Sequence, residues 1–462
     1  MNLDSVKYVY FLGIGGIGMS ALARWFVVNG YQVAGYDRTP TPLTEALQQE
    51  GMAIHFDEAV EKIPEAFRQN PAETLVIYTP AVPKTHTEYI YLTENGFTPQ
   101  KRSQVLGLLA GRMKAVGVAG THGKTTTSSM VAHILRHAGV NCAAFLGGIT
   151  QNYGTNFLLN EPAEDLSSVV CVVEADEFDR SFLTLYPHLA IVTSTDADHL
   201  DIYGDRNALL NSFGAYVGQI KPEGVLFQKK GLGLAGQTKA ETRAFALEEG
   251  DYHSRNLRID DACFVFDLMY PQGAISAIRL TVPGFHNVEN AIAASAVALE
   301  LGVSPAAIRD ALNSYRGVKR RFEYHIKSDK VVFIDDYAHH PTEIRAFLSS
   351  VKALYPNREL TAIFQPHLFS RTRDFADEFA ESLSLADHVI LLDIYPAREL
   401  PMEGVTSDII FQNVHSKSKR QCTKGELLAV LRESPTELVV TIGAGDIDQL
   451  LESIKGQLLT NE

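Results

Sequence analysis

Val116-Gly117-Val118-Ala119-Gly120-Thr121-His122-Gly123-Lys124-Thr125-Thr126-Thr127 reads as a short apolar strand that runs into a glycine-bounded turn and then a helix. That geometry presents backbone N–H groups to a nucleotide triphosphate. Gly120 and Gly123 permit positive φ, Lys124 has the reach for the terminal phosphates, and the Thr125 hydroxyl is placed to complete a Mg²⁺ shell. The stretch therefore predicts ATP or GTP binding through Gly120, Thr121, His122, Gly123, Lys124, Thr125 and Thr126. The general phosphate-loop formula puts a glycine where this chain has Val118, so the loop is a tighter Gly-Thr-His-Gly-Lys-Thr variant.

Working outward, Lys114 to Ala119 opens a middle segment whose further apolar strands, Val169 to Val173 and Leu189 to Thr193, both end in polar residues. After Val225 to Phe227 the pattern shifts to short alternating runs, Cys263 to Leu268 and Ile275 to Val282, which predict a small antiparallel sheet. An Ala-rich helix, His286 to Leu301, closes the segment.

Upstream, Tyr8 to Leu12, a helix Ile17 to Asn29 and a strand Gln32 to Tyr36 make a βαβ beginning, with a further strand at Thr74 to Tyr78 and a helix around Gln104 to Ala110. Gly13-Ile14-Gly15-Gly16-Ile17-Gly18 satisfies G-x-G-x-x-G after the first strand, and Asp37 ends the second. Taken alone this says dinucleotide, and it supports a reading as an NAD-dependent oxidoreductase. That reading leaves the phosphate loop unexplained.

Downstream, strands Val331 to Ile334, Leu360 to Phe364, Val389 to Leu392 and Leu438 to Ile442 alternate with helices Thr342 to Leu354 and Thr372 to Leu383. The expected fold is α/β in three domains. Residues 1–108 form an N-terminal Rossmann-like domain, 109–315 a central P-loop α/β domain with a small antiparallel sheet, and 316–462 a C-terminal Rossmann-like domain.

The bulk properties are those of a soluble globular chain, with 462 residues, 45% hydrophobic and 21% charged. A net charge of −14 argues against nucleic acid as the main partner. No apolar run is long enough to span a bilayer, and the opening Met1-Asn2-Leu3-Asp4 lacks signal-peptide character, so a cytoplasmic location is expected. Cys142, Cys171, Cys263 and Cys422 match neither a zinc spacing nor a disulfide scaffold.

Ligands of open α/β sheets gather at the carboxyl ends of strands, and three polar clusters fall there. Glu174-Ala175-Asp176-Glu177-Phe178-Asp179 offers hard oxygens for Mg²⁺, with a solvated acidic turn as the plain alternative. Thr193-Ser194-Thr195-Asp196-Ala197-Asp198-His199 contributes an imidazole that is either a metal ligand or a partner of one. Asp335-Asp336-Tyr337-Ala338-His339-His340-Pro341 could meet a ribose or orient a second substrate. Arg371 is a candidate fork for a carboxylate, and Arg320-Arg321 could face a transferring phosphoryl group.

Together with Gly284-Phe285-His286-Asn287 and Arg320-Arg321-Phe322-Glu323, these motifs resemble, in order and across the whole chain, the bacterial Mur ligases. Within that family the pattern is most similar to the alanine-adding branch. The resemblance implies that ATP and Mg²⁺ are used to join L-alanine to the lactyl carboxylate of UDP-N-acetylmuramate through an acyl phosphate, giving ADP and phosphate in peptidoglycan precursor synthesis. It implies that Gly13, Gly15, Gly16, Ile17, Gly18 and Asp37 hold the UDP-sugar rather than a dinucleotide. Lys124 would stabilise the β- and γ-phosphates, Thr125 would hold a first Mg²⁺, and Glu174 with His199 would hold a second. His286 and Asn290 would face adenine, Asp336 the ribose, and Arg320 or Arg321 the phosphates, while Tyr337, His339 and Arg371 would orient the amino acid.

Phe178 stands where the family commonly has Ser, Ser194-Thr195 where Asn-Ile is common, and Leu368 where some members carry Arg, so those roles do not transfer. Members adding later residues use a carbamylated Lys after the His ligand. None occurs here between His199 and Lys221, which resembles the alanine-adding branch. The nearest rival is a murein peptide ligase that attaches a tripeptide to the same sugar nucleotide. The sequence leaves monomer and homodimer both open.

Overall fold

The structure, a computed structural model, describes Leu3 and residues 5–161, 165–196, 200–397 and 399–460. Its α/β architecture rests on three sheets that are parallel except at their edges, and there is also a small three-stranded sheet. The chain divides into two compact units.

The first unit comprises 1–254, 268–275 and 290–311 and holds two of the large sheets. Strands β1 (Tyr8–Leu12), β2 (Gln32–Tyr36), β3 (Ala53–His55), β4 (Thr74–Tyr78) and β5 (Gln100–Lys101) pair in the order β3-β2-β1-β4-β5. All are parallel. β1 and β4 read as continuous apolar runs because a helix layer covers each face of a parallel sheet. The order reverses at β1, which places a crevice for ligands at its carboxyl end.

The second sheet is built from β6 (Lys114–Ala119), β7 (Cys142–Phe145), β8 (Phe157–Leu159), β9 (Val170–Glu174), β10 (Leu189–Val192), β11 (Val225–Lys229) and β12 (Glu241–Phe245), in the order β12-β11-β10-β6-β9-β7-β8. Only β8 runs antiparallel, on β7. The change of texture after Val225 is therefore partly a continuation of this sheet, since β12 pairs in parallel with β11. One hydrophobic cluster runs through both sheets, from Phe11 and Phe26 through Leu109 to Phe182 and Phe213. Gly107 makes that packing close: a Cβ there would lie 2.5 Å from the Thr184 carbonyl.

β13 (His253–Asp260), β14 (Cys263–Tyr270) and β15 (Gly273–Leu280) form the small sheet that the alternating runs predict.

The second unit comprises 255–267, 276–289 and 312–462. Its sheet takes the order β16-β17-β21-β18-β19-β20, from β16 (Glu323–Lys327), β17 (Val332–Asp336), β18 (Leu360–Phe364), β19 (His388–Leu391), β20 (Ser418–Gln421) and β21 (Leu438–Ile442). β16 is antiparallel to β17 and the rest are parallel. The helix expected over Thr372 to Leu383 is two helices, Phe369–Asp374 and Ala376–Leu383, broken at Phe375 with φ −125° and ψ 25°.

Candidate functional site

β6 delivers the chain into the turn at Gly120, and the helix Lys124–His137 begins at Gly123, whose φ is +82°. Side chains other than Gly seldom adopt that conformation. A Cβ on Gly120 would meet the Thr193 hydroxyl at 2.1 Å, and one on Gly123 the Asn290 Oδ1 at 2.8 Å. The two glycines thus answer to close approaches as well as to backbone shape.

The neighbouring strand end holds the loop in place. The His122 N–H donates to Ser194 Oγ at 2.8 Å, which lies 2.9 Å from Thr121 Oγ1. The Asp196 N–H donates to Thr121 Oγ1 at 3.1 Å, and the Thr193 hydroxyl donates to the His122 carbonyl. His122 Nε2 faces Asp196 Oδ2 at 3.4 Å. Ser194, for which sequence reasoning had no role, is therefore a brace of the phosphate loop.

Inside the loop, Lys124 Nζ donates to Glu177 Oε2 at 2.8 Å, to Oε1 at 2.9 Å and to the Gly120 carbonyl at 2.7 Å. Burial disfavours the ammonium, yet the carboxylates of Glu177, Asp176 and Glu174 outweigh it and hold the Lys124 pKa above its ordinary value. Lys124 is charged and aimed. One residue on, the Thr125 hydroxyl donates to Glu174 at 3.0 Å from Oε2, and the Gly147 N–H donates to the same oxygen at 3.0 Å.

A hydroxyl and a carboxylate converging beside the phosphate loop are hard oxygen donors of the kind Mg²⁺ takes, so this pair fits that ion. Among the described residues no cluster of three or more His, Cys, Asp or Glu side chains surrounds a metal position. His199, expected with Glu174 on a second ion, lies outside the described residues. Asn290 Oδ1 accepts from the Thr127 hydroxyl at 3.0 Å and is buried, so it packs the phosphate helix from the side.

The glycine-rich turn after β1 is built in the same manner. Gly13 has φ +88°, and the Gly15 N–H donates to Asp37 Oδ2 at 2.7 Å, so the acid at the end of β2 clasps the loop. The helix Ile17–Val28 starts there with no side-chain cap at Gly16. Arg102 packs on that end, because a Cβ on Gly18 would lie 2.7 Å from its Nη1. A small cleft lined by Arg102, Ser103, Glu174 and Asp176 continues toward the acidic loop. Lys101 beside it donates to Asp179 at 2.9 Å. Sequence reasoning missed Arg102. The signal was a basic pair at the start of a helix, which by itself looks like a solvated end.

In the second unit the cluster after β17 is tightly bonded. Asp336 accepts the Phe322 N–H at 2.8 Å and the Ala338 N–H at 2.8 Å. Burial pushes it up to about 7 against the pull of Arg321 and those donors. Its two oxygens thus bracket the local backbone. Arg320 reaches Asp335 at 3.3 Å, Asp448 at 3.4 Å, and the carbonyls of Gly443 and Gly445 at 2.6 and 3.3 Å. Its guanidinium is committed to the fold. Arg321 and Arg320 both lie over the Tyr337 ring, 4.9 and 5.1 Å from its centroid.

His339 Nδ1 lies 3.0 Å from the Tyr337 carbonyl, and its N–H donates to Glu343 at 3.0 Å. Rings then step from Tyr337 to His339, His367 and Tyr395, with centroids 5.4, 6.1 and 5.8 Å apart. His367 and Tyr395 enter this row only through the fold. Leu368 adopts φ +71° at the head of the helix Phe369–Asp374, which carries a buried Arg371. His286 follows Gly284, whose φ is +126° and whose Cβ would strike the imidazole at 2.7 Å.

Three family models match the chain: the Mur ligase family catalytic domain over 8–114, the Mur ligase middle domain over 118–298, and the Mur ligase glutamate ligase domain over 320–445. A UDP-N-acetylmuramate–L-alanine ligase of Phocaeicola vulgatus is 52% identical over 461 residues, covering 99% of each chain. That of Cytophaga hutchinsonii is 48% identical over 457 residues, covering 98% of this chain and 97% of that one. Among solved structures, a UDP-N-acetylmuramate–alanine ligase from Thermotoga maritima aligns with a TM-score of 0.80 at 28% identity, covering 98% of this chain and 100% of that one. A murein peptide ligase from Psychrobacter arcticus aligns at 0.69 and 23% identity over 98% of both, a likeness of fold alone. No described helix is long and apolar enough to cross a membrane.

Proposed function

The chain belongs to the Mur ligase family, and from that premise we propose that it joins L-alanine to the lactyl carboxylate of UDP-N-acetylmuramate with ATP, releasing ADP and phosphate. The full-length likeness to ligases of that name carries the reading. In this reading the domains are 1–108, 109–315 and 316–462, and the enzyme works in the cytoplasm.

A carboxylate resists an amine because oxide is a hopeless leaving group. Transfer of the γ-phosphoryl group of ATP to the lactyl carboxylate gives an acyl phosphate and ADP. The L-alanine nitrogen lone pair then attacks the acyl carbon, phosphate departs with the bonding pair, and the nitrogen loses a proton. Two anions must approach each other in the first step, so fixed cations supply most of the help.

Lys124 would exchange its bonds to Glu177 and Gly120 for the β- and γ-phosphates, with the turn from Gly120 to Thr126 cradling them. Thr125 would hold one Mg²⁺ and Glu174 with His199 a second, ions that when bound neutralise phosphate charge. The turn Gly13 to Gly18, clasped by Asp37 and flanked by Arg102, would seat the UDP diphosphate at a helix amino end. Arg321 takes the phosphate role in preference to Arg320, whose guanidinium already serves the fold. Tyr337, His339 and Arg371 would orient L-alanine, and His286 with Asn290 would border the adenine.

ADP release with UDP-N-acetylmuramate and L-alanine, compared with the tripeptide L-alanyl-γ-D-glutamyl-meso-diaminopimelate in place of alanine, tests the proposal. Turnover that depends on L-alanine supports it. Turnover with the tripeptide alone overturns it.

A further inference from the structure

A cavity of about 450 Å³ opens at the amino-terminal edge of the central sheet, where β6, β10 and β11 begin. It lies at the opposite end of β6 from the phosphate loop, roughly 17 Å away at about 3.3 Å per residue. Arg112, Lys114 and Lys221 line it, together with His188 and Glu223. Glu300 also borders it but is ion-paired with Arg243.

The cavity is built rather than incidental. The Gly224 N–H donates to the Lys221 carbonyl at 2.8 Å and the Val225 N–H to the His188 carbonyl at 3.0 Å. A Cβ on Gly224 would lie 2.1 Å from the His188 carbonyl, so the turn carrying Lys221 is pressed against that residue.

Lys221 Nζ lies 3.0 Å from His188 Nε2, while the Ala115 N–H points at Nδ1 from 3.2 Å. A neutral imidazole has one lone pair. Once Ala115 uses it, Nε2 carries the proton and meets the ammonium donor to donor. Burial and Lys221 lower the His188 pKa against the opposing pull of Glu223, with Lys114 adding to the lowering, so the ring does not relieve the conflict by charging. Among the described residues no carboxylate lies within 4 Å of the Arg112, Lys114 or Lys221 side-chain nitrogens. Glu223 lines the same cavity, so in a chain of net charge −14 three cations outnumber the one lining carboxylate that is not ion-paired elsewhere among the described residues.

We propose that this cavity is a second anion site that takes a small phosphate-bearing molecule, held by Lys114, Lys221 and Arg112, separate from the nucleotide loop. Two or more negative charges on adjacent phosphoryl oxygens match the three cations, and an acceptor oxygen gives Lys221 and the His188 Nε2–H the partner they do not give each other. The ligand would bridge the segment entering β6 to the turn entering β11.

Calorimetric titration of inorganic pyrophosphate into the full chain, with the phosphate loop saturated by Mg-ADP and the Gly13–Gly18 turn by UDP-N-acetylmuramate, tests this. The unmodified chain is expected to bind one equivalent, at least tenfold more tightly than Lys114→Gln/Lys221→Gln and at least threefold more tightly than Arg112→Gln, whose exposed side chain leaves the fold intact. Pyrophosphate should raise the melting temperature of the unmodified chain and not of the double variant. Absence of binding beside ADP, equal affinity in both variants, or citrate binding as tightly as pyrophosphate would each overturn the assignment.

Discussion

The Lys124 ammonium lies 2.8 Å from Glu177 Oε2, with the lysine side chain 13% exposed and the acid fully buried. The cation is thus stored on an internal anion before any nucleotide arrives. Removing one partner of such a pair leaves an uncompensated buried charge, which costs about 3 to 5 kcal/mol. Lys124→Ala is expected to lower ADP release by about 10²- to 10³-fold and to melt well below the parent. Adding Glu177→Gln should restore most of the melting temperature and none of the activity. A double variant that regains turnover would remove Lys124 from the mechanism.

Gly123→Ala should cost about 1 to 2 kcal/mol, since φ is +82° and the new methyl meets Asn290. Nucleotide affinity should fall with it. Thermal melts with and without ADP read both effects, and an unchanged ADP-induced shift would contradict the close approach.

Glu174→Gln keeps the shape of the acceptor for Thr125 and Gly147 but removes its negative charge. The expected result is a rise of at least tenfold in the Mg²⁺ concentration needed for half-maximal ADP release, at saturating ATP. Thr125→Val should act in the same direction. Equal metal requirements in parent and variants would place the ion elsewhere.

Arg102→Ala should raise KM for UDP-N-acetylmuramate about tenfold or more, as expected for a charged group lost from an anion site. KM for ATP should stay within twofold. The split between the two substrates is what a merely structural role of Arg102 would not produce.

Glu88 is buried, takes the Tyr10 hydroxyl at 2.6 Å and the Ala59 N–H at 3.2 Å, and burial raises its pKa from 4.5 to about 7. The fold therefore favours the protonated acid. Its contribution is intact below pH 4.5, declines as pH rises, and above pH 7 is lost by about 3 kcal/mol at 1.36 kcal/mol per unit. Glu88→Gln should flatten this slope, so the gain in urea midpoint over the parent is larger at pH 8 than at pH 5. Parallel pH profiles would show that Glu88 does not titrate in this range.

Much of the architecture is visible in the chain itself. β1, β2, β4, β6, β18 and β21 begin and end where apolar periodicity puts them, because buried parallel strands must be apolar without interruption. Edge strands such as β3, β5 and β20 escape notice, being short and half exposed with no face that demands a pattern. Thr125 beside Glu174, and Asp37 on the glycine loop, can be foreseen because strand ends converge in an open α/β sheet.

Amino-acid order alone determined the family, the glycine turns and the acids at the strand ends, since each rests on residues adjacent along the backbone. Tertiary structure alone tied Arg320 to Asp335 and the Gly443 carbonyl, made Ser194 a brace and set Arg102 over Gly18. Those outcomes depend on which donor meets which acceptor across residues far apart in sequence, and only the folded packing sets such distances.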